Sequence, residues 1–320
     1  MSKSKSIKRS IYILTEGHTE QAYFSRISEI LGDDDEWRYS VTVDVREIED
    51  GCKTDPVGIV KEAKNSQKLY DEVWAVFDKD RERDIQNVRA IELARKFNIK
   101  LAFSSIAFEQ WILLHFEKSS TSFERSDCQS RGEPCSCNGS TCISSYIKRH
   151  HYPTYTKGKA KLYDDLSDKN DIAMEYTAWL RFSSPPSPSG FHLLNPYTDV
   201  DNLVALLLGL PVSRYSSVDA NFFFEGITFC ITHHKKRDDI LEVSIHATSD
   251  SQYPFIFNNA QKNVTLLDVH NTEVPYIIPE AEIIHQGDDR TVNILFPVGQ
   301  GFQISRLRFQ SEKECIHIEL

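Results

Sequence analysis

No stretch of this 320-residue chain approaches the roughly 18 consecutive apolar residues of a membrane-spanning helix, so no membrane association is expected. No secretory leader is expected. The basic opening MSKSKSIKRS runs into only a short strand-like segment, not an apolar leader core. The cytoplasm is the expected compartment. Positive charge is scarce: 37 Lys and Arg stand against 47 Asp and Glu, a formal net charge of −10. That argues against a generic nucleic-acid-coating protein. It does not exclude a nuclease, because metal sites are themselves built from acids. There is no Walker A loop, no Gly-x-Gly-x-x-Gly, no Gly-x-Ser-x-Gly elbow and no internal repeat. ATP hydrolysis and serine-hydrolase chemistry therefore have no recognisable motif. Seven cysteines without a leader point to thiols or metal ligands rather than disulfides.

What is present is an ordinary globular composition, 40% hydrophobic and 26% charged, enough for a real core. The length suits one large domain or two of about 100–200 residues each. Residues 8–116 alternate strands and helices. Strand-like runs at 11–14, 40–45, 73–77 and 100–103 are separated by segments with apolar residues at helical spacing. Asp55-Pro56 reads as a cap followed by proline in the first turn, and Asp84 as the cap of a helix through Phe97. This alternation predicts an α/β fold, a mostly parallel sheet with helices on both faces. Residues 119–160 break the rhythm as a polar, Cys-rich insertion, and SSPPSPSG at 183–190 is a loop. From residue 212 the pattern becomes all-β, with strands expected at 222–232, 240–247, 263–269, 277–284, 291–296, 302–309 and 315–320, and HHKK at 233–236 as a polar hairpin tip. This tail holds nine Lys and Arg against fifteen Asp and Glu. The reading is a first domain over 1–211 and an acidic β-sandwich over 212–320, the latter a protein-contact module.

The segment IYILTEGHTEQAYF places Glu16 at the tip of the first strand, and VWAVFDKD ends the third in Asp78-Lys79-Asp80. An acid there can simply favour the positive end of a helix dipole. The conjunction says more. Residues two apart on an extended segment point to one side, so Asp78 and Asp80 can share a point with Glu16 beyond the strand ends. Three carboxylates at low dielectric repel unless a cation neutralises them. Hard oxygen donors suit Mg²⁺ or Mn²⁺, which also bind phosphate oxygens. Such a site suits phosphodiester cleavage.

The order strand–Glu-Gly–helix, then strand–Asp-x-Asp, resembles the Toprim pattern of topoisomerases, primases and OLD-type nucleases. Beyond it, ILTEGHTEQAYF, VWAVFDKD, AIELARKFNIKLAFSSIAFEQWILLHFEK, YTKGK and NPYTDVDNLV together resemble the RloB-like family over about residues 11–205. The resemblance implies a Toprim-like sheet and a nuclease of bacterial antiviral defence, working with a partner such as an ATPase on DNA or RNA, tRNA included. It also implies that Glu16, Asp78 and Asp80 are the metal and general-base residues. SSIAFE stands here where the family phrase resembles SNPCFE, which puts the local turn in doubt but not the acids. The β-sandwich has no counterpart in the resemblance.

Secondary candidates have bland alternatives. Glu109 can add a fourth catalytic carboxylate or serve as a helix cap. His115, between Leu114 and Phe116, can reach substrate phosphate or be a satisfied core histidine. In RHHYPTYTKGKAK, Lys157 and Lys159 are candidate phosphate contacts among stacking aromatics, or parts of a solvated loop. Lys157 is favoured because it matches the family's Y-x-K-G. Cys128, Cys135, Cys137 and Cys142 lie within fifteen residues and can hold a structural Zn²⁺, although Cys-x-Cys is tighter than the usual Cys-x2–4-Cys spacing. The alternative is redox-sensitive or incidental thiols. The leading reading is a metal-dependent nuclease. Its rivals are a catalytically inactive Toprim-fold binding protein whose sandwich docks a partner, and a haloacid-dehalogenase-type phosphatase. The last fits poorly, because the Asp-x-Asp lies on the third strand and Arg81 follows it. A homo-oligomer is left open.

Overall fold

The computed structural model describes residues 8–34, 37–46, 55–79, 84–128, 137, 139–185, 190–257, 263–277, 282–299 and 301–320. Ile11, Ile13 and Leu14 are fully buried on β1 (Arg9–Thr15), as befits a central parallel strand covered on both faces. With β2 (Tyr39–Val45), β3 (Glu72–Asp78), β4 (Lys100–Ser105) and β5 (Tyr197–Thr198) it forms a five-stranded sheet in the order β2-β1-β3-β4-β5. The first four strands are parallel and β5 runs antiparallel to β4. The predicted α/β architecture is thus present.

Helices α1 (His18–Gly32), α2 (Pro56–Ser66) and α3 (Asp84–Phe97) connect the parallel strands, and α4 (Glu109–Leu114) follows β4. The Asp55 carboxylate accepts the Gly58 N–H at 2.6 Å and so caps α2, as its sequence implied. All six residues of α4 are buried. The chain moves from β1 outward to β2, then returns to β1's other side for β3. In an open parallel sheet, ligands bind beyond the carboxyl ends of the strands at such a reversal. Here it lies between β1 and β3.

The remaining helices of this unit are α5 (Ile143–His150), α6 (Leu162–Leu166), α7 (Asn170–Ser183) and α8 (Val200–Leu208). The motif NPYTDVDNLV closes the sheet. Its Asp199 carboxylate accepts the Phe103 N–H at 2.6 Å, and Asp201 takes the Arg181 guanidinium through two hydrogen bonds of 2.6 Å. Asp201 is fully buried, so removing Arg181 would strand a charge.

The chain divides into one compact unit ending at Leu208 and another beginning at Gly209. The second unit is all β. One sheet has the order β12-β11-β15-β16-β6, built from β6 (Val212–Ser217), β11 (Val264–Asp268), β12 (Glu273–Val274), β15 (Ile304–Gln310) and β16 (Glu314–Glu319). The other runs β14-β9-β8-β7, from β7 (Asn221–Phe224), β8 (Ile227–Arg237), β9 (Ile240–Ser249) and β14 (Asp289–Pro297). A short pair joins β10 (Phe255–Ile256) to β13 (Ile283–Ile284). Alternating residues of both sheets, among them Phe224, Phe229, Phe296 and Phe309, meet in one core. Pairing is antiparallel except between β16 and β6.

The strand expected at 277–284 is present only as Ile283–Ile284, with 278–281 outside the described residues, and two further expectations change. The single strand expected at 222–232 is a hairpin, because Glu225 and Gly226 both adopt positive φ (49° and 83°) and turn the chain between β7 and β8. HHKK is not a tip. His233 through Lys236 pair along β9, and the turn falls at Asp238 and Asp239.

Candidate carboxylate cleft

A cleft of about 410 Å³ opens at the carboxyl ends of β1 and β3, lined by Glu16, Gly17, His18, Thr19, Glu20, Asp78, Glu109, Lys157 and Gly158. Four of these are carboxylates and one is a lysine. If all were ionised, the formal charge in this space would be −3.

The strand geometry sets Glu16 and Asp78 together. The Glu16 N–H continues the ladder onto Val76 O at 2.9 Å, so the chain stays extended one residue past β1. Its carboxylate Oε2 then accepts the Asp78 N–H at 3.2 Å. The Thr15 hydroxyl donates to Gly17 O at 3.2 Å or Asp44 O at 3.3 Å and steadies the turn into α1. Burial pushes Asp78 well above the ordinary carboxylate range, and the charges of Glu20, Glu109 and Glu16 push the same way. A hydrogen bond from the Phe108 backbone opposes them.

Glu20 is the residue that sequence reasoning missed. It sits in the first turn of α1, only 4% exposed. Burial raises its carboxyl to about 7, its own backbone N–H works against this, and the charges of Glu109 and Glu16 add to the rise. Gly17 makes room for it: a Cβ there would lie 2.6 Å from Glu20 Oε2. The available signal was the acid four residues after Glu16, which reads equally well as an ordinary first-turn acid favoured by the helix dipole.

Glu109 stands at the start of α4 and is 2% exposed. Ser126 donates to its Oε2 at 3.1 Å, while Ser144 and Tyr155 donate to Oε1 at 3.0 and 2.9 Å. Lys157 Nζ approaches Oε1 at 3.3 Å. Burial lowers the Lys157 ammonium, but Glu109 and Asp78 outweigh it and the net shift is upward, so the lysine stays charged in the cleft. Gly158, at φ +69°, donates its N–H to the Thr19 hydroxyl at 3.0 Å and fastens this loop to the start of α1.

Other expected residues lie elsewhere. Lys159 pairs with Asp165 at 2.8 Å, donates to Tyr152, and does not line the cleft. His115 is 1% exposed, with Nδ1 2.9 Å from Trp111 O and Nε2 3.4 Å from Asn170 Oδ1. Burial holds it down at about 4, so it is a neutral core histidine near pH 7 and not a phosphate-binding cation. Asp80 and Cys135 lie outside the described residues. Cys128, Cys137 and Cys142 come together: their sulfurs lie within 4.8 Å of one another.

The donor set of the cleft fits a hard divalent cation, with carboxylate oxygens from the ends of β1 and β3 and the first turn of α1, two of them raised by burial and by their neighbours' charges.

The sequence profile of the family described as RloB-like protein matches residues 11–207, which takes in every cleft residue and all of the sheet but the first two residues of β1. The match spans more than half of the chain, so the chain belongs to this family. No curated protein matches. Among solved structures, the yjhA protein from Bacillus subtilis is similar at 11% identity over 32% of this chain and 98% of that chain. Its TM-score is 0.27, too low to carry an argument. Among the described residues, no helix is long and apolar enough to cross a membrane.

Proposed function

Starting from a member of the RloB-like family with an acid-lined cleft at its strand reversal, we propose a metal-dependent nuclease that hydrolyses phosphodiester bonds. The observation that carries this reading is the convergence of Glu16, Glu20, Asp78 and Glu109 on one cleft, with Glu20 and Asp78 driven upward by burial and mutual repulsion. Such an arrangement is costly unless a cation shares it. Glu16 and Asp78, with Asp80 next but one in sequence, would hold Mg²⁺ or Mn²⁺. When bound, such an ion would supply Lewis acidity toward a phosphate oxygen and would orient the attacking water.

The chain's own residues do the rest. Glu16 lies at the rim of the sheet, where it can take a proton from the attacking water. Lys157 supplies positive charge against a phosphate oxygen. The first N–H groups of α1 favour an anion at the same place. Gly158, whose missing Cβ would have only the His18 Cβ within 4 Å, would let a sugar–phosphate backbone approach the main chain. The Toprim-like order of the acids supports the same assignment, with the Asp-x-Asp pair as chief metal ligands. Resemblance to the RloB-like family supports a role in antiviral defence under the control of a partner such as an ATPase.

The test incubates purified protein with supercoiled plasmid and with total tRNA, with Mg²⁺, with Mn²⁺ and with EDTA. Cleavage in the presence of metal that is lost in Glu16→Gln supports the reading. Cleavage that persists in EDTA, or at an equal rate in Glu16→Gln, rejects it. Absence of cleavage together with stable capture of a partner would favour an inactive binding protein.

A further inference from the structure

The insertion at 119–160 carries two segments that the fold brings side by side. Glu124 and Arg125 donate their N–H groups to Thr141 O at 2.9 and 3.2 Å. In return, Ile143 N–H donates to Arg125 O at 3.2 Å and Ser144 N–H to Ser126 O at 3.0 Å. Cys128 ends the described part of the first segment, Cys137 lies between the two, and Cys142 takes the N-cap position of α5. The Cys137 and Cys142 sulfurs are 3.4 Å apart, far beyond the ~2.05 Å of a disulfide bond. Sulfurs bound at about 2.3 Å to a tetrahedral zinc lie about 3.8 Å from one another. The spread of up to 4.8 Å among the three sulfurs brackets that spacing.

We propose that Cys128, Cys137 and Cys142 bind one structural Zn²⁺ that clasps the two segments of the insertion together. A tetrahedral ion leaves one further position. The clasp matters because of its neighbours. Ser126 is two residues before Cys128 and Ser144 two residues after Cys142, and their hydroxyls donate to the two oxygens of Glu109. The zinc thereby fixes two of the donors that hold a buried cleft carboxylate in place. The Cys142 end is deeply packed, with Cys142, Ile143 and Ile147 fully buried, whereas Cys128 and Cys137 are only partly so. At those partly exposed thiols a metal staple would supply order beyond the packing of the Cys142 end. The zinc assignment does not depend on the nuclease reading.

The test measures zinc in full-length protein expressed with zinc supplied and purified under reducing, chelator-free conditions. About one zinc per chain is expected for the wild type and for Glu16→Gln, whose change lies in the cleft and not among the thiols. Cys128→Ser and Cys137→Ser, at partly exposed positions that tolerate the change, are each expected to drop below about a fifth of an equivalent. Releasing zinc with a mercurial is expected to speed amide hydrogen exchange across 123–147 while leaving β1 and β3 protected. Less than about half an equivalent in the wild type, or undiminished zinc in both serine variants, overturns the proposal. So does zinc that is lost in Glu16→Gln but kept in the serine variants.

Discussion

Replacing Glu20 by Gln should stabilise the metal-free protein at alkaline pH and leave it unchanged in acid. The folded carboxyl is raised from 4.5 to about 7 by burial first, and by Glu109 and Glu16 after it. At ~1.4 kcal/mol per pH unit, the ionised form costs the fold about 3.5 kcal/mol. The direction follows from proton counting. Because the folded pKa lies above the unfolded one, the unfolded chain gives up this proton first as pH rises. Stability therefore falls between about pH 4.5 and 7 and stays reduced above it. Glutamine cannot ionise and escapes this loss. With ~2–4 °C of melting temperature per kcal/mol in a unit of this size, the variant should gain about 7–14 °C at pH 8 in EDTA and nothing at pH 4.5. Adding Mg²⁺ should narrow the gap by stabilising the wild type more than the variant. Differential scanning calorimetry at both pH values measures this. A gap equal at both pH values, or a variant less stable than wild type at pH 8, refutes the reasoning.

Two further variants probe the same cleft. Glu109→Ala removes the acceptor shared by Ser126, Ser144, Tyr155 and Lys157, and should destabilise by about 3–5 kcal/mol in urea unfolding. A loss under about 1 kcal/mol would show that these groups find other partners. Gly17→Ala puts a methyl against the Glu20 carboxylate; its backbone, at φ −125°, accepts alanine without strain. Folding should change by less than about 1 kcal/mol, while Mn²⁺ affinity measured by calorimetric titration falls about tenfold. Unchanged affinity would place the ion away from Glu20.

The sheet was legible because its signals are local. Apolar runs at 11–14 and 73–77 cannot be solvated strands, and Asp55-Pro56 opens a helix by its own chemistry. Glu16 and Asp78 stood out for the same reason, each being an acid that directly ends a buried run. Glu20 did not, since a first-turn acid looks ordinary until the fold buries it against three others. The partners of Glu109 were hidden for another reason. Ser126, Ser144 and Tyr155 come from 17, 35 and 46 residues away, and no spacing rule links hydroxyls across an insertion. Lys159 and Lys157 look equivalent in TKGK, and only packing shows that one turns to Asp165 and the other to Glu109. In the second unit, three phenylalanines before it and Ile227, Phe229 and Ile231 after it masked Glu225-Gly226 as a turn.

Whether Glu16 and Asp78 share one divalent ion is tested most directly by Mn²⁺ titration followed by electron paramagnetic resonance, on wild type and on Asp78→Asn. The wild type is expected to bind one Mn²⁺ that Mg²⁺ displaces, and Asp78→Asn to lose it while melting no lower than wild type in EDTA. A folded Asp78→Asn that binds Mn²⁺ as tightly as the wild type would contradict the cleft as a metal centre.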